Sequence, residues 1–288
     1  MKAAQIKAEI ISNQRLNGNF WHLEFDSGLI ARSAVAGQFV NIRVTDGLAP
    51  LLRRPISIHA AKATKVRVIY EILGKGTQAL SEKKPGEFLD VIGPLGNGFV
   101  YRCPVKSPGA KNILIAGGMG VAPLVFLAEK LMELKTRNPK PETIVFIGAK
   151  TKKQILCTQE FKALDCIVKL ATDDGSVGFK GRVTDLLRVF LEQAPLETRQ
   201  KRPLAVASSN LFLMGPAKRV RLFSCGPHPM LKAIAEIAGE YKINAQLSLE
   251  EHMACGLGAC LGCAVMTKAG YKTVCKDGPV FSSEELVW

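Results

Sequence analysis

The chain has 288 residues, and 39 lysines and arginines against 25 aspartates and glutamates give it a net charge of +14. A hydrophobic share of 47% with 22% charged residues excludes wholesale disorder, and eight cysteines are too few for a disulfide-stapled secreted fold. The opening MKAAQIKAEIIS has no signal core, and the uncharged run Ile113–Ala128 is short and broken by Gly117, Gly118, Gly120 and Pro123, so a soluble cytoplasmic protein with no membrane span is expected.

In chain order, the first hundred residues read as β. Short segments around Ile6–Ile11, Trp21–Phe25, Phe39–Val44, Ile56–Ile58, Val66–Ile72 and Phe88–Ile92 are bounded by Gly, Pro, Asn or Asp. Several alternate apolar with polar residues, the pattern of a sandwich or barrel. One short helix is expected near Thr77–Lys84. Residues 103–112 hold two prolines and a glycine and read as a linker.

Strands then alternate with helices. Strands are expected at Asn112–Ala116, Thr143–Gly148, Cys166–Ala171 and Val220–Ser224, and helices at Pro123–Lys135, Val183–Leu191 and Pro229–Gly239. Repeated βα units imply a parallel sheet that binds ligands at the carboxyl ends of its strands. Residues 192–218 do not fit this rhythm and read as an insertion. The last fifty residues carry an alternating strand at Ile243–Leu249, a Cys/Gly-rich loop, and strands near Ala264–Thr267 and Tyr271–Val274. The fold class is therefore α/β plus β, with units at 1–103, 104–241 and 242–288.

Four of the eight cysteines, Cys255, Cys260, Cys263 and Cys275, follow the spacing C-x4-C-x2-C-x11-C. The first three match the plant-type [2Fe–2S] pattern, which is completed by a later cysteine. Gly256, Gly258 and Gly262 let the loop wrap closely and aim N–H groups at sulfur. Structural zinc, which favours paired close knuckles, and inert thiols are the competing readings.

The strand ending at Ala116 runs into Gly117-Gly118-Met119-Gly120-Val121-Ala122-Pro123 and then a helix, an arrangement that presents free N–H groups to a phosphate. Phe223-Ser224-Cys225-Gly226-Pro227 repeats strand, small-residue turn and helix, and would lie beside the first turn at the same sheet edge. The basic residues are scattered and not interleaved with aromatics, so the charge reads as attraction for anionic ligands rather than for nucleic acid.

A β domain, a GGxGxAP nucleotide unit ending in CGP and a C-terminal C-x4-C-x2-C…C loop together resemble the ferredoxin–NADP reductase superfamily. Within it, MACGLGACLGCAV and VCKDGPVF look most like the electron-transfer subunits of NAD-linked dihydroorotate dehydrogenase. The resemblance implies an antiparallel FAD barrel, a parallel NAD-binding domain and a small cluster module. It places FAD on Arg54, Pro55, Ile56 and Ser57, on Ile69, Tyr70 and Glu71, and on Gly76 and Thr77. Ile56 stands where many superfamily members have a tyrosine. NAD is expected at Gly117, Gly118, Gly120, Pro123, Gly226 and Pro227, with Cys225 at the nicotinamide–flavin contact. Asp173, in Thr172–Ser176, favours NAD; Lys150, Lys152 and Lys153 would favour a 2′-phosphate. No role is assigned to Cys103, Cys157 or Cys166.

The implied partner is an FMN-containing dihydroorotate dehydrogenase catalytic subunit, in a heterotetramer with two copies of each chain, serving pyrimidine biosynthesis. Electrons would pass from that FMN through the cluster and FAD to NAD+. The alternatives are the flavin/iron–sulfur subunit of a transhydrogenase, sulfide dehydrogenase or hydrogenase, and a non-enzymatic zinc-binding module.

Overall fold

A computed structural model describes residues 3–102, 110–134, 141–193 and 220–288. Cys103, most of the linker at 103–112 and nearly all of the insertion at 192–218 lie outside the described residues.

The N-terminal strands are β1 (Ala4–Asn17), β2 (Phe20–Asp26), β3 (Phe39–Arg43), β4 (Arg54–Lys62), β5 (Lys65–Glu71) and β6 (Phe88–Leu95). They close into an antiparallel barrel in the order β1-β2-β5-β4-β3-β6. Closure leaves no free sheet edge, and Leu23, Phe25, Ile42, Ile58, Val66, Val68 and Val91 fill the inside. Two short helices interrupt the strands, α1 (Gly28–Ser33) and α2 (Lys75–Ser81). The sequence pattern missed α1. It spans 6 residues and buries only Ile30, too little for a helical period to show, and it is fixed instead by the Ser27 hydroxyl accepting the Ile30 N–H at 3.2 Å.

The second part comprises β7 (Lys111–Gly117), α3 (Val121–Glu133), β8 (Glu142–Ala149), α4 (Thr158–Ala163), β9 (Ile167–Thr172), β10 (Phe179–Lys180), α5 (Val183–Gln193), β11 (Val220–Cys225), α6 (His228–Glu240) and β12 (Asn244–Ser248). After these come the hairpin β13 (Ala264–Thr267) and β14 (Gly270–Thr273), then β15 (Val280–Ser282). The sheet has seven strands in the order β10-β9-β8-β7-β11-β12-β15, all parallel except β15. The strand expected at Ile243–Leu249 is therefore the sixth strand of this sheet, and β15 extends the sheet from beyond the cysteine loop.

Helix α3 explains the uncharged run. It packs against β7 and β11 on one side and against barrel strand β4 on the other, so Val121 to Ala128 are all buried. Over Val121 to Ala128 no face of the helix meets water, and a charge there would have no partner; charges return only at Glu129, Lys130 and Glu133 in its last turns. The barrel and the sheet also meet where Phe99 packs edge-on against Phe223 at 5.8 Å, and where the Gln246 amide brackets the Val100 backbone at 2.7 and 2.9 Å. Among the described residues no helix is long and apolar enough to cross a membrane.

The β7–α3 and β11–α6 turns touch backbone to backbone. A Cβ at Gly120 would lie 2.1 Å from the Cys225 carbonyl oxygen, whereas one at Gly239, on the exposed face of α6, would meet nothing within 4 Å. Gly120→Ala is expected to destabilise the protein by about 1–3 kcal/mol through overpacking, and Gly239→Ala to stabilise it by about 0.5–1 kcal/mol. Thermal unfolding of the two variants should move in opposite directions.

Candidate functional site

The barrel, the β7–α3 turn and the chain leaving β12 enclose a cavity of about 490 Å³. Its barrel wall is Arg54, Pro55, Ile56 and Ser57 on β4, Ile69, Tyr70 and Glu71 on β5, and Thr77 in α2. Met119 and Ala122 come from the glycine turn. The opposite wall is Ser248 to Met253, which leads into the cysteine loop. The sequence did not single out this second wall. The only available signal was that the segment leaves β12 at the carboxyl edge of a parallel sheet, where ligands bind.

Local contacts fix the barrel wall. The Thr77 hydroxyl accepts the Leu73 N–H at 3.0 Å and donates to the Gly74 carbonyl at 3.3 Å, closing the start of α2. Tyr70 donates to Asn13 Oδ1 at 3.0 Å, and Asn13 in turn donates to the carbonyls of Leu80 and Lys83 at 2.8 and 2.9 Å, which anchors the far end of the helix. The Arg54 guanidinium lies over Gly76, where a Cβ would sit 2.2 Å from Nε. Glycine thus lets a guanidinium and the first turn of α2 share one side of the cavity. A fixed guanidinium beside backbone N–H groups suits a pyrophosphate.

The two small-residue turns meet beside this cavity. Gly117 packs against Pro227 and Met230, Gly226 lies against the backbone of Gly117, and Gly118, with φ of 54°, faces open space. Pro123 is buried in the first turn of α3. Cys225 is buried at the end of β11, with its Sγ 4.0 Å from Glu250 Oε1. Burial raises the Cys225 thiol well above its usual range, with the Glu250 carboxylate adding to the effect. Glu250 lines the cavity with its side chain still reached by solvent, and partial desolvation by the surrounding walls raises its carboxyl too. The pair is a neutral thiol and a carboxyl that holds its proton longer than usual.

Asp173 lies outside the cavity, exposed in the turn after β9, with its N–H donating to the Ala149 carbonyl at 3.1 Å. The Asp174 carboxylate is taken by the N–H and hydroxyl of Ser176, at 2.9 and 2.6 Å. Lys152 donates its N–H to the Ser176 hydroxyl at 2.8 Å, so the loops after β8 and β9 are joined.

In the cysteine loop, a backbone N–H points at each of the four sulfurs. Leu257 donates to Cys255 at 3.3 Å, Gly262 to Cys260 at 3.5 Å, Cys275 to Cys263 at 3.4 Å and Gly258 to Cys275 at 3.1 Å. Cys263 and Cys275 are buried, Cys255 is half-buried and Cys260 is exposed. At Cys255, desolvation works to raise the thiol pKa, but N–H groups of Leu257, Cys260 and Ala259 outweigh it and bring it down to about 6. Donors aimed at every sulfur fit a cluster of bridged irons, whose thiolates and sulfides are electron-rich.

The model of the iron–sulfur cluster binding domain of dihydroorotate dehydrogenase B matches residues 250–287, and that of the oxidoreductase NAD-binding domain matches residues 114–236. The dihydroorotate dehydrogenase B (NAD(+)) electron transfer subunit of Desulforamulus reducens is 38% identical over 287 residues, covering 98% of this chain and 97% of that protein. The subunit of the same name from Bacillus pumilus is 36% identical, with 96% of each covered. Among solved structures, an NADH-dependent reduced ferredoxin-NADP oxidoreductase aligns with a TM-score of 0.76 at 27% identity, over 98% of this chain and 90% of that one. The ferredoxin-NADP+ reductase of Plasmodium falciparum shares the fold alone, at a TM-score of 0.62 and 15% identity, over 84% of this chain and 96% of that one. With its barrel, nucleotide sheet and cysteine loop all matched along nearly the full length, the chain belongs to the family of dihydroorotate dehydrogenase B electron transfer subunits.

Proposed function

We propose that this chain carries electrons between the FMN of a catalytic partner subunit, which oxidises dihydroorotate for pyrimidine biosynthesis, and NAD+. The observation that carries this reading is the single cavity in which the flavin strands, the glycine turn and the approach to the cysteine loop meet. FAD supplies the chemistry that joins a two-electron nicotinamide to a one-electron [2Fe–2S] cluster, which is why its site lies between theirs. Arg54 and the start of α2 hold the pyrophosphate, and Ser57 hydrogen-bonds the flavin ring. Cys225, Gly226 and Pro227 let the nicotinamide approach the flavin closely, and Cys225, itself buried, adds no charge to that contact. Cys255, Cys260, Cys263 and Cys275 hold the cluster. Asp173 accepts from a free ribose and so favours NAD.

The division of labour is residues 1–103 for FAD, 104–241 for NAD and 242–288 for the cluster, the last also lending β12 and β15 to the nucleotide sheet and Ser248 to Met253 to the cavity wall. The complex is a cytoplasmic heterotetramer with two copies of each chain.

Co-purified with the catalytic subunit under anaerobic conditions, the chain should give yellow-brown protein, an EPR signal that appears only on reduction, and dihydroorotate-dependent NAD+ reduction. Failure of that last activity in a complex loaded with flavin and iron would reject the assignment in favour of another NAD(P)-linked partner. Arg54→Ala should weaken FAD binding about 10–100-fold, the worth of a charge-assisted hydrogen-bond pair, read as recovery of flavin fluorescence on dilution.

Glu250 gives a pH signature. Its folded pKa is raised, so the folded chain keeps a proton that the unfolded chain has released. Stability therefore falls as pH rises from the usual carboxylate range through the raised value. Glu250→Gln should remove that decline from plots of thermal midpoint against pH, together with any limb of the NADH-dependent flavin reduction rate in the same window.

A further inference from the structure

Behind the cavity, where the barrel faces the nucleotide sheet, three side chains with no part in the proposed electron path converge. His59 lies on β4, two residues beyond Ser57, and is 1% exposed. Its Nδ1 is 3.1 Å from the Ala122 carbonyl oxygen and its Nε2 is 2.7 Å from Glu160 Oε2. Cys157 immediately precedes α4, and one ligand atom each from His59, Cys157 and Glu160 lies within 4.8 Å of the others.

A carbonyl oxygen only accepts, so Nδ1 carries a hydrogen. That fixes the imidazole and aims the Nε2 site at the carboxylate. A nitrogen lone pair and a carboxylate oxygen at 2.7 Å require a cation between them, either a proton or a metal ion. Cys157 tips the choice. It has a φ of 60°, a left-handed conformation that is unfavourable for a residue with a Cβ, and in that conformation it joins its sulfur to the nitrogen and oxygen. Nitrogen, sulfur and oxygen donors with an imidazole oriented by a backbone carbonyl are the ligand set and the outer support of a zinc-type site.

We propose that His59 Nε2, the Cys157 sulfur and a Glu160 oxygen bind a zinc-class divalent cation, with water completing the coordination. The Glu160 side chain is 44% exposed, which leaves a path for the ion and the water. Binding displaces the proton shared by Nε2 and Glu160 and the Cys157 thiol proton, both to solvent, and the thiolate and carboxylate then balance the two charges of the metal with no redox step. Of the surrounding groups, Arg67 lies 4.0 Å from Glu24 and 3.9 Å from Glu129, and His22 packs edge-on against His59 at 6.3 Å. The cation would join β4 of the barrel to α4 and, through the Ala122 carbonyl, to the start of α3, and so clamp the flavin unit to the nucleotide unit.

The test uses the complete chain with FAD and a full cluster. It is incubated with zinc and desalted, then zinc and iron are counted by mass spectrometry and the zinc shell is read by X-ray absorption. The proposal expects one zinc per chain with iron undiminished, one sulfur in the shell, and a thermal midpoint that rises with zinc. Cys157→Ser should lose the sulfur and most of the midpoint rise, and His59→Gln should weaken retention about 10–100-fold or more. Glu160→Gln, at a half-exposed position, is a second variant should His59→Gln fold poorly, and it too should weaken retention. Three results would overturn the proposal: no retained zinc, zinc retained equally by wild type and all three variants, or zinc gained only as iron is lost from the cysteine loop.

Discussion

The arrangement depends on pins between the barrel and the chain around the cysteine loop. The Asn97 N–H donates to the Gly278 carbonyl at 2.5 Å, and its side-chain amide donates to the carbonyls of Lys276 and Asp277 at 3.2 and 3.0 Å. Asn41, wholly buried on β3, donates to the carbonyl of Cys255 at 3.3 Å. Electron transfer falls off steeply with distance, so carriers held by different parts of a chain need fixed separations. Two asparagines fasten the loop on both sides, one next to its first cysteine and one just after its last. Asn41 pairs in register with Pro55 of β4, so one barrel rung touches both the cavity wall and the cysteine loop.

The nucleotide side is fixed by different means. There the two turns press backbone on backbone, Gly120 against Cys225 and Gly117 against Gly226, with no side chain between them to adjust. Helix α3 runs from this contact between sheet and barrel, so the glycine turn cannot move without disturbing β4 behind it. Rigidity at this place suits a hydride donor and acceptor that must meet face to face.

Much of this was legible in the residues. The cysteine spacing, the glycine turns, most barrel strands and helices α3, α5 and α6 each carry a local pattern: ligand geometry, turn chemistry, or a period of two or 3.6 residues. What was not legible depends on distant partners. β10 and β15 are two and three residues long and exist only because β9 and β12 offer edges to pair with. Helices α1 and α4, with 6 residues each, are too short to show a period. Asn41 and Asn97 read as ordinary strand and turn residues until the loop that they hold, far along the chain, is placed against them. The wall Ser248–Met253 was hidden likewise: its polar residues look like an ordinary surface segment until the barrel is placed across the cavity from them.

β12 and β15 lie side by side in one sheet, yet residues 249–279, with all four cysteines, separate them. In topological terms the cysteine loop is the long connection of an antiparallel pair, and closing a loop of that length has an entropic cost that four cysteines bound to a common centre would help to meet. On the proposed ligation, cluster assembly would therefore be coupled to completion of the sheet. Loss of the irons would then loosen the strand that covers β12 and bare a row of unpaired backbone groups, the kind of edge on which neighbouring chains pair and aggregate. The redox centre would thus also serve as a folding clasp, and damage to it would register as poor solubility as well as lost electron flow.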